Sequence, residues 1–199
     1  MSYEREINKC YQDPLDIIWT ETVRKMGMTL IRSNEVFASW DGKGTLTIGS
    51  PEDLDPDDSL AQMLFHEICH ALIQGPEGWS QENWGLTNTD GRDLVREHAC
   101  IRLQAALGAQ YGLRDFLAVT TEWRAYQDNL PPDPLDESDD PALPLAQEAY
   151  HEALNGRWSS LLQEALTATQ TIVETTASFA SAESLFSSSE DQRQPSTHM

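Results

Sequence analysis

The sequence predicts a mostly helical α+β domain with a small antiparallel sheet, and three observations support this. Apolar residues recur at helical spacing along several long segments. Near the N-terminus, three short runs rich in β-branched residues are separated by turn-forming residues. The chain has 199 residues, which is enough for one ordinary core and a weak argument for two. We therefore predict a single domain over residues 1–177.

The elements of the N-terminal half follow from capping and turn chemistry. Asp13-Pro14 is typical of a helix start, and the first helix is predicted to end near Gly27. A second helix begins after Asp55-Pro56 by the same capping logic and ends at Gly75-Pro76, because glycine and proline interrupt helices. Between the two helices, the turn residues Asp41-Gly42-Lys43-Gly44 favour a small antiparallel sheet. Its strands are predicted over 28–31, 36–40 and 45–48.

The C-terminal half reads as helices joined by polar segments. Residues 131–144 are rich in proline and acid and are predicted to form an exposed connector. Residues 178–199 are mainly Ser, Glu, Gln and Thr, and we predict a disordered Ser-rich tail because such a segment buries little apolar surface. Helices are predicted over 92–107, 113–129 and 145–175, the last interrupted at Asn155-Gly156.

The charge of the chain narrows the classes of partner. There are 33 acidic against 13 basic side chains, a formal charge of -20, so binding to nucleic acid is not expected. The N-terminus lacks an apolar stretch behind a basic start, and no apolar run approaches the roughly 20 residues that span a bilayer. Cys10, Cys69 and Cys100 form no Cys-x-x-Cys pair, which suits free thiols in a reducing compartment. We expect a cytoplasmic protein without a membrane partner.

The central chemical feature is His66-Glu67-Ile68-Cys69-His70, which has the His-Glu-x-x-His (HExxH) spacing of a metal-binding helix. Two histidines four residues apart are offset by about 40° around a helix and about 6 Å along it, so both rings can reach one ion. Glu67 lies between them, where its carboxylate can meet a metal-bound water as general base. We predict His66 and His70 as metal ligands and Glu67 as the catalytic residue.

A third ligand must come from elsewhere, since catalytic zinc commonly takes three protein ligands. The metzincin continuation is absent, because residues 71–75 place no ligand at the required spacing. On the next helix we favour Glu97, because two histidines with one glutamate form a standard hydrolytic zinc site, and His98 is the alternative. Asp93, one turn earlier, is the candidate orienting carboxylate. These ligand types suit Zn²⁺ and also Fe²⁺.

Other side chains near the motif have plainer interpretations. Cys69 and Cys100 are predicted to be small buried core residues rather than ligands. The tryptophans around the motif are predicted to pack in the core or in loops rather than to line a substrate cleft. They are Trp79, Trp84 and Trp123.

The motif and the following helix together resemble a known family. His66-Glu67-x-x-His70 followed by Glu97-x-Ala99-x-x-x-Leu103-x-Ala105-x-Leu107 resembles the gluzincin-type arrangement of the ImmA/IrrE metallopeptidases. The resemblance covers residues 66–107. It implies a zincin-like fold in which a glutamate on the following helix, here Glu97, completes the metal site.

A second resemblance involves the loop after the motif helix. Ile73-x-Gly75, Trp84-Gly85 and Asp90-Gly91-Arg92, taken with the motif, are similar to the elongation factor P hydroxylases. This resemblance implies iron-dependent hydroxylation of a modified lysine on a protein substrate.

The leading hypothesis from the sequence is a zinc-dependent metallopeptidase acting on a peptide or protein. The first alternative is an iron-dependent protein hydroxylase with the same ligands. The second is a non-catalytic zincin-like protein that recognises a partner peptide. The sequence gives no indication of the oligomeric state.

Overall fold

The fold is described by a computed structural model that covers residues 8–87, 93–121 and 123–187. It contains six α-helices and one three-stranded sheet within those residues, so the predicted α+β class is confirmed. Among these residues, none of the helices is both long enough and apolar enough to cross a membrane. The strands are β1 (Thr29–Ser33), β2 (Ala38–Trp40) and β3 (Thr45–Gly49). The helices are α1 (Pro14–Lys25), α2 (Leu60–Gly78), α3 (Leu94–Gln110), α4 (Arg124–Asp128), α5 (Leu143–Asn155) and α6 (Ser159–Ala177).

The sheet is mixed, which corrects the prediction of an antiparallel sheet. Its strand order is β1-β3-β2, with β2 antiparallel and β1 parallel to β3. The β2–β3 hairpin forms as predicted, and Asp41 Oδ1 accepts hydrogen bonds from the backbone N–H groups of Lys43 and Thr45 at 2.7 and 2.8 Å. Strand β1 pairs with β3 and not with β2, and β3 runs in the same direction as β1. This leaves β2 at one edge of the sheet.

Helix α2 is the centre of the fold and packs against α1, α3 and α5. The Ser59 hydroxyl caps its first turn by accepting from the N–H of Gln62 at 3.2 Å. The helix is broken at Gly75, whose φ of 63° lies in the left-handed region that favours glycine, and Pro76 follows directly. The predicted end of the helix at Gly75-Pro76 is therefore a break, after which a short helical turn continues to Gly78.

The core forms on the buried side of α2. Trp19 of α1 and Phe65 of α2 are both fully buried, with ring centroids 5.3 Å apart. The Trp19 indole N–H donates to Thr169 Oγ1 of α6 at 3.0 Å, which links the first and last helices. A buried hydrogen bond therefore joins the N- and C-terminal helices of the domain.

The predicted helix over 113–129 is wrong, since only Arg124–Asp128 is helical. Side chains of three glutamines take the backbone groups that a helix would have used. Gln104 Nε2 donates to Leu117 O at 2.6 Å, and Gln62 Nε2 donates to Ala118 O at 3.2 Å. Gln127 accepts from the N–H of Val119 at 3.0 Å. We call residues 113–121 the glutamine-held segment.

The connector over 131–144 is attached to the domain by a buried arginine. Arg102 of α3, 4% exposed, donates to Pro134 O at 2.5 Å and to Asp140 Oδ2 at 3.1 Å. The second half of the connector leads into α5, which begins at Leu143. The proline-rich segment is therefore anchored at two points.

The division into a domain over 1–177 and a disordered tail over 178–199 stays a prediction. Residues 178–187 form turns after α6, and the Phe186 ring packs on Phe116 with centroids 5.0 Å apart. Residues 188–199 lie outside the described residues, as do residues 1–7 and Asp90-Gly91-Arg92 of the second resemblance.

Candidate metal centre

His66 and His70 face each other on one side of α2, as their spacing predicts. Their Nε2 atoms are 3.0 Å apart, and the two rings meet edge to face at an angle of 83°. Burial lowers the pKa of His66 and lowers the pKa of His70 well below its usual value, and the neighbouring His66 adds to the second shift. Both imidazoles are therefore neutral near pH 7, the form that binds a metal.

Glu67 lies beside this pair and is held by a tryptophan. The indole N–H of Trp84 donates to Glu67 Oε2 at 2.8 Å, and both side chains are buried. Burial raises the pKa of Glu67 to about 7, while the hydrogen bond from Trp84 acts in the opposite direction. A carboxyl group with such a pKa can accept and release a proton near neutrality.

Trp84 is positioned by a strained turn over residues 82–85. Asn83 and Trp84 have φ values of 48° and 59°, which non-glycine residues rarely adopt and which cost about 1–3 kcal/mol each. The Trp84 ring stacks on Trp40 of β2 with centroids 4.3 Å apart. Asn83 Oδ1 accepts from the Ser39 hydroxyl at 3.2 Å and from the Trp40 N–H at 3.3 Å. These contacts fix the turn against the edge strand.

Glu97 of α3, the predicted third ligand, contacts His70. Its Oε2 lies 3.5 Å from His70 Nε2, and the residue is 5% exposed. Burial raises the pKa of Glu97 to about 7, and the nearby carboxylates of Glu67 and Asp93 contribute to the shift. A helix glutamate that faced solvent would show neither this burial nor this contact.

Asp93 and His98 have other roles in the structure. The Asp93 carboxylate accepts from the Thr87 N–H at 2.6 Å, and its carbonyl accepts from the Glu97 N–H at 3.0 Å at the start of α3. The His98 ring stacks on Tyr126 with centroids 3.7 Å apart. The structure thus brings Glu97 to His70 and directs His98 towards Tyr126.

Cys100, which the sequence predicts as a buried core residue, also lies near the histidines. Donor atoms of His66, His70 and Cys100 lie within 4.8 Å of one another, so this group can hold a metal ion. The Cys100 Sγ is 3.6 Å from His66 Nδ1, the ring nitrogen opposite the one that faces His70. Burial raises the pKa of the thiol well above its usual value, with Cys69 adding to the shift.

His66 Nδ1 also contacts a buried glutamine. Gln104 Oε1 lies 2.8 Å from this nitrogen, which is closer than the Cys100 sulfur. One imidazole nitrogen cannot both donate to Gln104 and bind an ion. We therefore regard Nε2 as the metal-facing nitrogen of His66, which places His70 and Glu97 on the ligand side.

A cavity of about 380 Å³ opens at this group. Its lining side chains are mainly apolar, with two glutamates, and no lysine or arginine of the described residues lines it. The polar wall includes His66, Glu67, His70, Glu97 and Gln62. The apolar and aromatic wall is formed by Phe37, Met63, Trp84, Leu86, Val119 and Trp123.

The residues present fit a metal ion. Two nitrogens bound at about 2.0–2.1 Å to one ion lie about 3.0–3.4 Å apart, and the observed Nε2 separation is 3.0 Å. His70 Nδ1 is buried and has no hydrogen-bond partner among the described residues, so the polar contacts of this ring are those of Nε2 with His66 and Glu97. Neutral imidazoles beside a carboxylate are a common donor set for zinc and ferrous iron.

Two contributors to the site escaped the sequence interpretation. Gln104 was not singled out, and Trp84 was assigned to packing. A signal existed for the glutamine, since Glu97, Cys100 and Gln104 recur at i, i+3 and i+7 on one face of α3. No local signal indicated that Trp84 would reach Glu67.

Comparisons with known proteins add no assignment to this geometry. Scans of protein-family models, curated proteins and solved structures each returned no match.

Proposed function

We propose that the protein is a metal-dependent hydrolase, with zinc as the metal and a peptide or protein as the substrate. The observation that carries the proposal is Glu67, a buried carboxylate with a pKa of about 7 held beside two facing imidazole nitrogens. A purely structural helix would gain nothing from burying an acid and two histidines together, because each costs desolvation energy.

His66, His70 and Glu97 are the proposed ligands. The Glu97 carboxylate lies on the Nε2 side of the pair, whereas Cys100 lies on the side of His66 that Gln104 occupies. A zinc ion bound by these three residues would supply Lewis-acid polarisation of a substrate carbonyl.

Glu67 provides the acid–base chemistry. Trp84 occupies its Oε2, which leaves Oε1 free to take a proton from the attacking water and to return it to the leaving amine. In the metal-free protein, burial raises the pKa of this carboxyl to about 7, which favours the protonated form that returns a proton to the leaving amine.

The cavity supports a peptide substrate. Edge strand β2 contributes Ala38 and Ser39 to the wall, so an extended chain can find backbone groups to pair with. Phe37, 43% exposed, offers apolar surface at the same wall. The acidic lining disfavours a substrate that inserts a negative group.

An iron-dependent protein hydroxylase is the second candidate. The two-histidine, one-carboxylate set of His66, His70 and Glu97 favours it equally, because ferrous oxygenases use the same donors. The two candidates differ in their need for oxygen.

The test combines metal analysis with matched variants. Purified protein is analysed for bound metal beside Glu97→Ala, Cys100→Ala and His98→Ala, and cleavage of a fluorogenic peptide library is measured with and without oxygen. We expect one zinc per wild-type chain, loss of that zinc in Glu97→Ala, and retention in the other two variants. His98→Ala is the control, because it removes the adjacent side chain of α3 without touching the pair.

Glu67→Gln then tests the catalytic role. We expect it to keep its metal and to lose peptide cleavage by about 100-fold or more, the usual contribution of general base catalysis. Cleavage that persists in Glu67→Gln with full metal content would sink the hydrolase proposal. Bound iron with oxygen-dependent modification would favour the hydroxylase, and a wild-type protein that binds no metal would favour a peptide-binding role.

A further inference from the structure

The carboxamide of Gln104 has a fixed orientation. Leu117 O can only accept a hydrogen bond, so the Gln104 atom 2.6 Å away is the donating Nε2. The opposite atom, Oε1, must then face His66 Nδ1 at 2.8 Å. Gln104 is 1% exposed, so water does not compete for either contact.

This orientation determines the tautomer of His66. A carboxamide oxygen accepts only, so His66 Nδ1 carries the hydrogen. The lone pair of the neutral ring therefore lies on Nε2, the atom that faces His70 Nε2 at 3.0 Å. His66 is thus held in the tautomer that can bind a metal through Nε2.

His70 lacks an equivalent partner. Its Nδ1 is buried and unpaired among the described residues. Its Nε2 lies 3.0 Å from the unprotonated Nε2 of His66 and 3.5 Å from Glu97 Oε2, so in the metal-free protein His70 carries its hydrogen on Nε2. Of the two histidines, only His66 is therefore held in the Nε2-binding tautomer before a metal binds.

The glutamine-held segment provides an internal comparison. Gln127 makes a similar pair of contacts there, a buried one with the Val119 N–H at 3.0 Å, from which it accepts, and a partly buried one with Arg114 O at 3.3 Å, to which it donates. Both glutamines hold the same stretch of backbone, but only Gln104 also contacts a histidine. Loss of Gln127 should therefore reproduce the structural damage without the tautomer effect.

We propose that Gln104 is a positioning residue that holds His66 in its metal-binding tautomer. Its amide donates to the Leu117 carbonyl, and this contact directs its oxygen to the Nδ1–H of His66. The inference rests on the metal site of the proposed function. When Gln104 is absent, the nearest remaining contact of Nδ1 is the Cys100 sulfur at 3.6 Å, which is a weak acceptor. The ring then samples both tautomers and orientations that misdirect Nε2.

The first measurement is zinc affinity by chelator competition in the full-length chain. We expect Gln104→Met to weaken binding by about 10–100-fold, the usual cost of losing the partner of a ligand histidine. Gln104→Glu should stay within about 3-fold of wild type, because burial favours the protonated acid, whose carbonyl oxygen accepts from Nδ1–H while its hydroxyl donates to Leu117 O. Gln127→Met should bind zinc like wild type while losing a similar amount of thermal stability.

The second measurement reads the tautomer without metal. Long-range ¹H–¹⁵N correlation spectra of chelator-treated, ¹⁵N-histidine protein show which ring nitrogen of His66 is protonated, with the signal assigned by its loss in His66→Ala. We expect the Nδ1–H form in wild type and Gln104→Glu, and a mixture in Gln104→Met.

Three results would overturn the inference: equal affinity in wild type and Gln104→Met, equal weakening in Gln104→Met and Gln127→Met, or an Nε2–H tautomer in the wild-type protein. A wild-type chain that binds no zinc yet shows the Nδ1–H tautomer would contradict the proposed function and leave only the tautomer relay standing. The two failures are therefore distinguishable.

Discussion

Replacing Glu67 by glutamine should stabilise the metal-free protein at alkaline pH while abolishing its proposed chemistry. Glutamine keeps the size of the side chain and an oxygen that accepts from Trp84 Nε1. What it removes is a carboxylate whose charge is disfavoured by burial. The substitution therefore isolates the energetic cost of the buried charge.

The size of the effect follows from the pKa. Glu67 has a pKa of about 7 in the folded protein against a usual value of 4.5. The folded state holds its proton more tightly than the unfolded state, so wild-type stability falls as pH rises from about 4.5 to about 7. At 1.36 kcal/mol per pKa unit, the penalty reaches about 3 kcal/mol above pH 8 and is below about 1 kcal/mol at pH 5. Glu67→Gln carries no such charge, so this penalty is absent from the variant at every pH.

The assay is urea unfolding of chelator-treated protein at pH 8 and pH 5. We expect the free energy of unfolding of Glu67→Gln to exceed that of wild type by about 3 kcal/mol at pH 8, and most of this difference should be lost at pH 5. Glu148→Gln is the control, because it removes one negative charge from the exposed surface of α5. The free energy of unfolding of that variant should match that of the wild type at both pH values.

A Glu67→Gln variant that gains no stability at pH 8 would refute the assignment of a buried, weakly acidic carboxyl. A gain of equal size at pH 5 and pH 8 would also refute it, since relief of a charge must vanish when the charge is already protonated.

Two further predictions concern other buried polar contacts. Trp84→Phe keeps an aromatic ring against Trp40 but removes the indole N–H that lowers the pKa of Glu67, so the acid limb of the pH–rate profile should move to higher pH. An acid limb that stays at the same pH would show that the indole N–H does not lower the pKa of Glu67. Arg102→Met removes the hydrogen bonds to Pro134 O and to the Asp140 carboxylate, which is 20% exposed and keeps its contact with Tyr126, and should lower the free energy of unfolding by about 1.5–3 kcal/mol, measured by urea unfolding. It should also speed proteolysis within 131–144, and a loss below about 1 kcal/mol would contradict the anchoring role.

Local features of the fold were predictable from the sequence because they depend on residues a few positions apart. The Asp13-Pro14 start of α1, the hairpin turn after Trp40 and the break at Gly75 all appear where their local chemistry placed them. The same holds for the facing of His66 and His70, which α-helical geometry alone requires.

Features that depend on distant partners were mispredicted or left open. Residues 113–129 contain enough helix-forming residues to suggest a helix, but glutamines from α2 and α3 bind the backbone of the segment instead. The parallel pairing of β1 with β3 depended on which strand would occupy the middle of the sheet, and turn chemistry carries no information about that.

The sequence by itself determined that two histidines and a glutamate would share one helical surface, because residue spacing and helix geometry fix this without any other part of the chain. Only the tertiary structure decided what surrounds them: Trp84 on Glu67, Glu97 beside His70, and Gln104 on His66 across 38 positions of sequence. The chain has several glutamines and tryptophans that could in principle serve, and their residue types do not distinguish them. The packing of α3 and the 82–85 turn against α2 selects among them, since a hydrogen bond forms only where the backbone brings donor and acceptor within reach.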